Sequence, residues 1–163
     1  MRRAYEHLGR LSVMQKHLAS GVVGQVGLLT ALAQKSLLAG EQKSAADLLR
    51  AGEHLGFGSL ASTAKATRLS EELDAAINAE YEHLGDKAAE HWEKHEGNRP
   101  AEIEAVYESM VELADAAFAK GAYRRALEFA RGAEALAHVR GNDQPMIEEG
   151  GAKKLKGGKA LSR

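Results

Sequence analysis

Apolar and polar positions along this chain alternate mostly at three- and four-residue steps, the spacing that lays one buried stripe along an α-helix. The clearest run ends at residue 139. Ile103, Val106, Tyr107, Met110, Val111, Ala114, Ala117 and Phe118 form a single stripe, while Glu102, Glu104, Glu108, Glu112 and Asp115 fall on the other faces. Pro100 suits a first helical turn, and the early glutamates complement the positive end of the helix dipole. Gly121 is placed to end this helix in the left-handed conformation. A second stripe, Tyr123, Ala126, Leu127, Ala130, Ala133 and Ala137, then begins at once. The pattern predicts two helices folded back on each other at Gly121. Their small alanines allow a close approach of the axes.

Upstream the same period predicts further helices. Leu8, Leu11, Met14 and Leu18 mark a first one over 2–19. From 17 to 34 there is no Asp, Glu, Lys or Arg, and Val22, Val23, Val26, Leu28, Leu29 and Leu32 make this the most apolar stretch. It falls short of the ~20 apolar residues of a membrane span, so it is expected to be the central, most buried helix. Gly21, Gly24 and Gly27 would permit a close helix crossing. A turn is expected at Gly40 and a helix over 41–55. Gly56-Phe57-Gly58-Ser59 is expected to be a loop that pins Phe57 in the core. A helix over 67–84 follows, with Gly85-Asp86 interrupting it before a continuation to His95. Gly97 to Pro100 is a second break.

Composition narrows the picture. The chain has 163 residues, length for one domain with a real core, and 44% hydrophobic and 28% charged residues are ordinary for a globular protein. The absence of cysteine excludes disulfides, thiol catalysis and thiolate metal sites. It is compatible with the cytosol, the compartment expected here, and the N-terminus lacks the continuous apolar core of a secretory signal. Residues 151–163 hold Lys153, Lys154, Lys156, Lys159 and Arg163 and no acid, which leaves the rest of the chain net acidic. Two regions are therefore expected: a helical domain over 1–141, and a weakly ordered basic tail over 142–163. That tail is the one part suited to nucleic acid.

Leu113, Ala114, Gly121, Tyr123, Ala126 and Ala133 together resemble the tetratricopeptide pattern of a helix–turn–helix repeat. The resemblance covers about thirty residues (110–139). It departs from the family at Met110, where an aromatic is usual, and at His138, where a proline closes the repeat. It implies a unit that stacks on neighbours. Moving the window back by 81 residues gives a weaker echo: Leu32, Ala33, Gly40, Ala45, Arg50, Glu53 and Leu55 align with Leu113, Ala114, Gly121, Ala126, Arg131, Glu134 and Leu136. The turn glycines 40, 85 and 121 are unevenly spaced. The expected fold is therefore all-α, five or six antiparallel helices in a bundle or short solenoid.

Candidate chemistry is sparse. His91 and His95 stand four residues apart, as in a two-histidine metal half-site, and Glu80 and His83 have the E-x-x-H spacing of diiron helical bundles. That motif occurs once, where a diiron bundle needs two, so a divalent-metal site at Glu80, His83, His91 and His95 is the alternative reading. The tetrapeptide Glu-His-Leu-Gly recurs at 6–9, 53–56 and 82–85, expected as three helix ends with Gly at the cap. No nucleophile motif or identifiable carboxylate pair supports catalysis, and no cofactor is expected. The favoured reading is a non-enzymatic interaction or scaffold module, self-association included. Tyr123, Arg124, Arg131 and the lone Trp92 are its candidate contact residues.

Overall fold

A computed structural model describes residues 2–67, 69–95 and 99–140. Within them the chain is all-helical, with no strand: α1 Arg2–Met14, α2 Ser20–Leu38, α3 Gln42–Leu60, α4 Glu71–Lys94, α5 Glu104–Ala119 and α6 Tyr123–Ala137. Short 3-10 turns at Gln15–His17 and Ala101–Ile103 follow α1 and precede α5. The residues assigned above to a basic tail lie outside the described residues.

Both turn glycines behave as their neighbours require. Gly40 has φ 83° and Gly121 φ 72°. At the first, the Gly40 and Glu41 amides donate to the Leu37 and Ser36 carbonyls at 3.1 and 2.8 Å; at the second, Gly121 and Ala122 donate to Phe118 and Ala117 at 2.8 and 2.9 Å. This is the same two-bond cap that satisfies the last carbonyls of a helix. Five of the seven pairs of the internal echo also match in burial, while Leu32 is more buried than Leu113 and Gly121 more buried than Gly40. Ala33 and Ala114, Ala45 and Ala126, Glu53 and Glu134, and Leu55 and Leu136 are all buried, while Arg50 and Arg131 are half-buried.

The centre of the molecule is α3 against α6. α1 and α2 lie on α3, and α4 and α5 lie on α6. Phe129, Leu136, Leu48, Leu55, Leu11, Leu29, Ile103 and Met110 are fully buried in a core to which all six helices contribute. The loop between α3 and α4 is tied down: the Ala66 amide donates to the Gly121 carbonyl at 2.9 Å. The Arg125 guanidinium donates to the Ser59 and Ala61 carbonyls at 3.2 and 3.3 Å, a cation on the negative end of α3. Ser70 caps α4 by accepting from the Leu73 amide at 3.2 Å, with Glu71, Glu72 and Asp74 in the first turn.

Several expectations fail, each for a physical reason. Gly56-Phe57-Gly58-Ser59 is no loop, because α3 runs through it to Leu60. The glycines are there for contact. A Cβ on Gly56 would meet the Met14 sulfur at 2.7 Å, and one on Gly58 would meet the Phe129 ring at 2.6 Å. Phe57 points outward, 40% exposed. The Thr67 start gives way to the Ser70 cap, and Gly85-Asp86 does not interrupt α4. All three Glu-His-Leu-Gly copies lie inside helices, and their glycines lack the positive φ of a cap. α2 is not the central helix: only 28% of its most apolar 18-residue window is buried. Its three glycines make no close crossing among the described residues, for a Cβ on Gly21, Gly24 or Gly27 would meet nothing there within 4 Å.

Candidate functional site

The polar groups of the α3–α6 seam are paired across helices. Arg50 donates to Glu134 at 2.6 Å and His54 pairs with Glu128 at 2.8 Å. Glu53, buried at 6% exposure, takes Arg10 at 2.6 Å and His7 from α1. The first two Glu-His-Leu-Gly copies therefore meet each other, His7 against Glu53, and the third remains on the surface of α4. Such buried pairs do not of themselves stabilise a fold much, but breaking one strands a charge. Burial lowers the His54 pKa despite the opposing pull of Glu128. The named groups of the seam are each paired, and His7 and Arg50 also border an open pocket of about 480 Å³ between α1 and α3.

The four expected metal residues do not gather. Glu80 pairs with Arg131 at 3.4 Å, and His83 is exposed. Glu80 and His91 are eleven residues apart on one helix, roughly 16 Å along its axis. His91 and His95 have ring centroids 6.4 Å apart. His91 instead meets His138, beyond α6, edge-on at 4.1 Å, and His138 reaches Glu134 at 3.2 Å. Among the described residues no group of three or more His, Asp or Glu side chains could hold a metal ion. Desolvation lowers the pKa of both His95 and His138, and neighbouring cations (Arg140 at His95, Lys43 and Arg50 at His138) add to it. The His138 contact was invisible in the sequence because it joins residues 47 positions apart.

The expected contact residues divide. Arg124 is exposed. Arg131 is turned towards α4 and its own helix, held by Glu80 and by Glu128 at 3.8 Å. Tyr123 sits half-buried beside Phe118, and its hydrogen bond with Asp74 is the main cause of its raised pKa. Trp92 stacks on Tyr107 at 3.7 Å with the rings 5° from parallel, and the Arg99 guanidinium lies 3.6 Å from its centroid on the ring. The Trp92 side chain is consumed in tying α4 to α5.

The surface that sequence reasoning misplaced is the outer side of α2. Ser20, Gly24, Gly27, Ala31, Gln34 and Leu38 are all exposed and fall within about 80° of arc on the helix. Leu38 is 92% exposed. Lys35 is the one charged residue in the whole helix. The opposite side, Val26, Leu29, Leu32, Ala33 and Ser36, is the side buried in the fold. By length and composition α2 is also apolar enough to cross a membrane. No family model matches this chain, no curated protein matches it, and no solved structure matches its fold.

Proposed function

We propose that this chain is a non-enzymatic protein–protein interaction module whose contact surface is the outer face of α2, with a second copy of the chain as the first partner to test. One observation carries the reading. A nineteen-residue helix with one charged side chain presents a smooth, small-residue face that no other part of the described chain covers. A face of Gly, Ala and Ser lets another helix axis come close, since interaxial distance follows the size of the side chains between. A two-fold arrangement places such a face against itself. The tetratricopeptide-like pattern of 110–139 supports the same reading by analogy, because units of that kind stack on neighbours and bind other chains. The paired, inward-facing polar groups of the α3–α6 seam offer no competing catalytic arrangement.

The test is the mass in solution of the full chain against concentration, by sedimentation equilibrium, for the native sequence and for Gly24→Glu and Ala31→Glu. Both sites are exposed, so the variants keep the fold. A native dimer that the variants reduce to monomer is the expected result. A strictly monomeric native chain that also recovers no protein partner would remove the reading. Co-sedimentation with phosphatidylcholine vesicles, lost in the same two variants, would reassign the face to a bilayer.

A further inference from the structure

α4 and α5 both rest on α6, and two aromatic stacks bridge them. At one end Tyr81 of α4 stacks on Phe118 of α5, centroids 4.1 Å apart; at the other Trp92 of α4 stacks on Tyr107 of α5. Between these bridges the residues are small. Gly85 and Ala88 of α4 face Val111 and Ala114 of α5, with Ala130 and Ala133 of α6 beneath. Small side chains between two fixed spacers leave a gap, and the gap is a cavity of about 300 Å³ open to solvent. A Cβ on Gly85 would meet nothing within 4 Å.

The walls are held from outside. Each tyrosine ring is stacked on a neighbour. The Tyr81 hydroxyl donates to Asp115 at 2.5 Å, which also fixes that carboxylate. Arg99 braces Trp92 from its other side. A site whose walls are locked by their own packing loses little freedom when a ligand enters. The rim is acidic: Glu82 and Asp86 on α4 and Asp115 on α5, with no basic residue among the described residues that line the cavity. The volume lies at the lower end of the range for small-molecule sites.

We infer that the slot between α4 and α5 is a binding site for a small organic cation, an amine with a compact aliphatic or aromatic body. The alanine floor takes the apolar body. The tyrosine side chains add aromatic surface beside it, and the acidic rim neutralises the cation. A carboxylate or phosphate ligand would meet three acids and no base. The site is independent of the α2 face and stands or falls without it.

Trp92 is the chain's one tryptophan and stacks on a wall of the slot, so its fluorescence reports occupancy. The probe is 2-phenylethylammonium, titrated into the full chain with calorimetry alongside fluorescence, and 2-phenylethanol is the neutral control. The expected result is saturable binding of the amine with a dissociation constant on the order of 0.1–1 mM, the range open to so few heavy atoms. The alcohol binds at least tenfold more weakly. Gly85→Leu, which fills the slot from its rim at an uncrowded helical position, abolishes binding with the melting temperature retained. Glu82→Gln with Asp86→Asn weakens the amine about tenfold and leaves the alcohol unchanged. Equal binding of amine and alcohol would overturn the charge assignment. No saturable signal from the amine up to 10-fold above that range, or binding that survives Gly85→Leu, would overturn the site.

Discussion

α2 and α3 have the same length, nineteen residues, adjoin across one turn, and each carries three glycines, yet the fold uses those glycines in opposite ways. On α3, Gly52, Gly56 and Gly58 are buried: a Cβ on Gly56 or Gly58 would overlap Met14 or Phe129, and one on Gly52 would touch Leu11; on α2, Gly21, Gly24 and Gly27 face open space. α2 is the more apolar of the two, so apolar content alone puts it at the centre. What decides is where the bulk lies. Gly24 and Gly27 share a face with Ser20 and Ala31, and no large side chain among the described residues is seated against it. The α3 glycines instead lie where large side chains arrive from two directions, Leu11 and Met14 from α1 and Phe129 from α6. Glycine permits a close approach, and a large neighbour on the other side is what makes the approach worth its backbone entropy.

The comparison breaks most severely at Phe129. It is fully buried and fills the space that Gly58 leaves. Phe129→Ala should cost about 3–5 kcal/mol, since it loses the transfer energy of the ring and leaves a cavity between the two central helices. Urea denaturation measures it. A loss under about 1 kcal/mol would mean that α3 and α6 close over the gap, and that the glycine is not there for the ring.

Gly58→Ala comes next. Exchange of an interior helical glycine for alanine ordinarily gains about 1 kcal/mol, and less in the last turn of a helix, where Gly58 stands. Here the new methyl would stand 2.6 Å from a ring that is itself locked in the core, and overpacking of that kind costs about 1–3 kcal/mol. A net loss is expected. Pairing it with Phe129→Leu should recover part of that loss, so that the double variant is more stable than the sum of the two singles. Additive losses would show that the two sites do not touch energetically.

The all-helical class, both turns and the stripes of α5 and α6 were legible in the sequence, because a 3.6-residue period and a left-handed glycine are local signals. The course of α3 through 56–60 was not. Two glycines around an aromatic carry the same local signal whether they make a loop or a contact, and the difference is Phe129, 71 residues away. The candidate site was legible only in part. The uncharged character of 17–34 could be read directly. Which side of that helix stays uncovered depends on where α3 sits. His91 lies in the last turn of α4 and His95 just beyond it, and the imidazole that His91 touches is that of His138, which no spacing rule connects to it. The slot between α4 and α5 rests on Tyr81–Phe118 and Trp92–Tyr107, pairs set by how two helices lie on a third.

Acid should separate the two helices by a smaller effect. His54 on α3, His95 after α4 and His138 after α6 all have pKa values lowered below the usual 6.5, in each case chiefly by burial. A lowered pKa means that the unfolded chain takes up protons first as pH falls. Stability is full above about 6.5 and is lost progressively from there down to the folded-state values, below which the loss is constant. The melting temperature should therefore fall between pH 7.5 and 5.5. α2 has no histidine, so the mass of the assembled protein should stay constant over the part of that range in which the chain remains folded. A melting temperature that is flat or rises on acidification would contradict the burial of these imidazoles. Dissociation ahead of unfolding would place the contact surface on the histidine-bearing helices instead of on α2.

The smallest stability effect, and the one that divides the two helices most sharply, is Gly→Ala on α2. Gly24 and Gly27 are exposed mid-helix glycines with space around them. In an isolated chain each exchange for alanine should add about 0.5–1 kcal/mol, because the helix loses less backbone entropy on folding and nothing is displaced. That sign is opposite to the one expected at Gly58, for the same chemical change. If the α2 face is held against a second copy, the two methyl groups also stand between the helix axes and force them apart. Gly24→Ala with Gly27→Ala should then give a chain that melts higher at low concentration and associates more weakly at high concentration. Measuring the melting temperature across a hundredfold range of concentration shows both at once, since a native dimer gains stability with concentration and the variant should not. A variant stabilised by the same amount at every concentration would leave α2 a well-formed helix with no partner copy, and would return the search for a partner to Arg124 and the exposed end of α6.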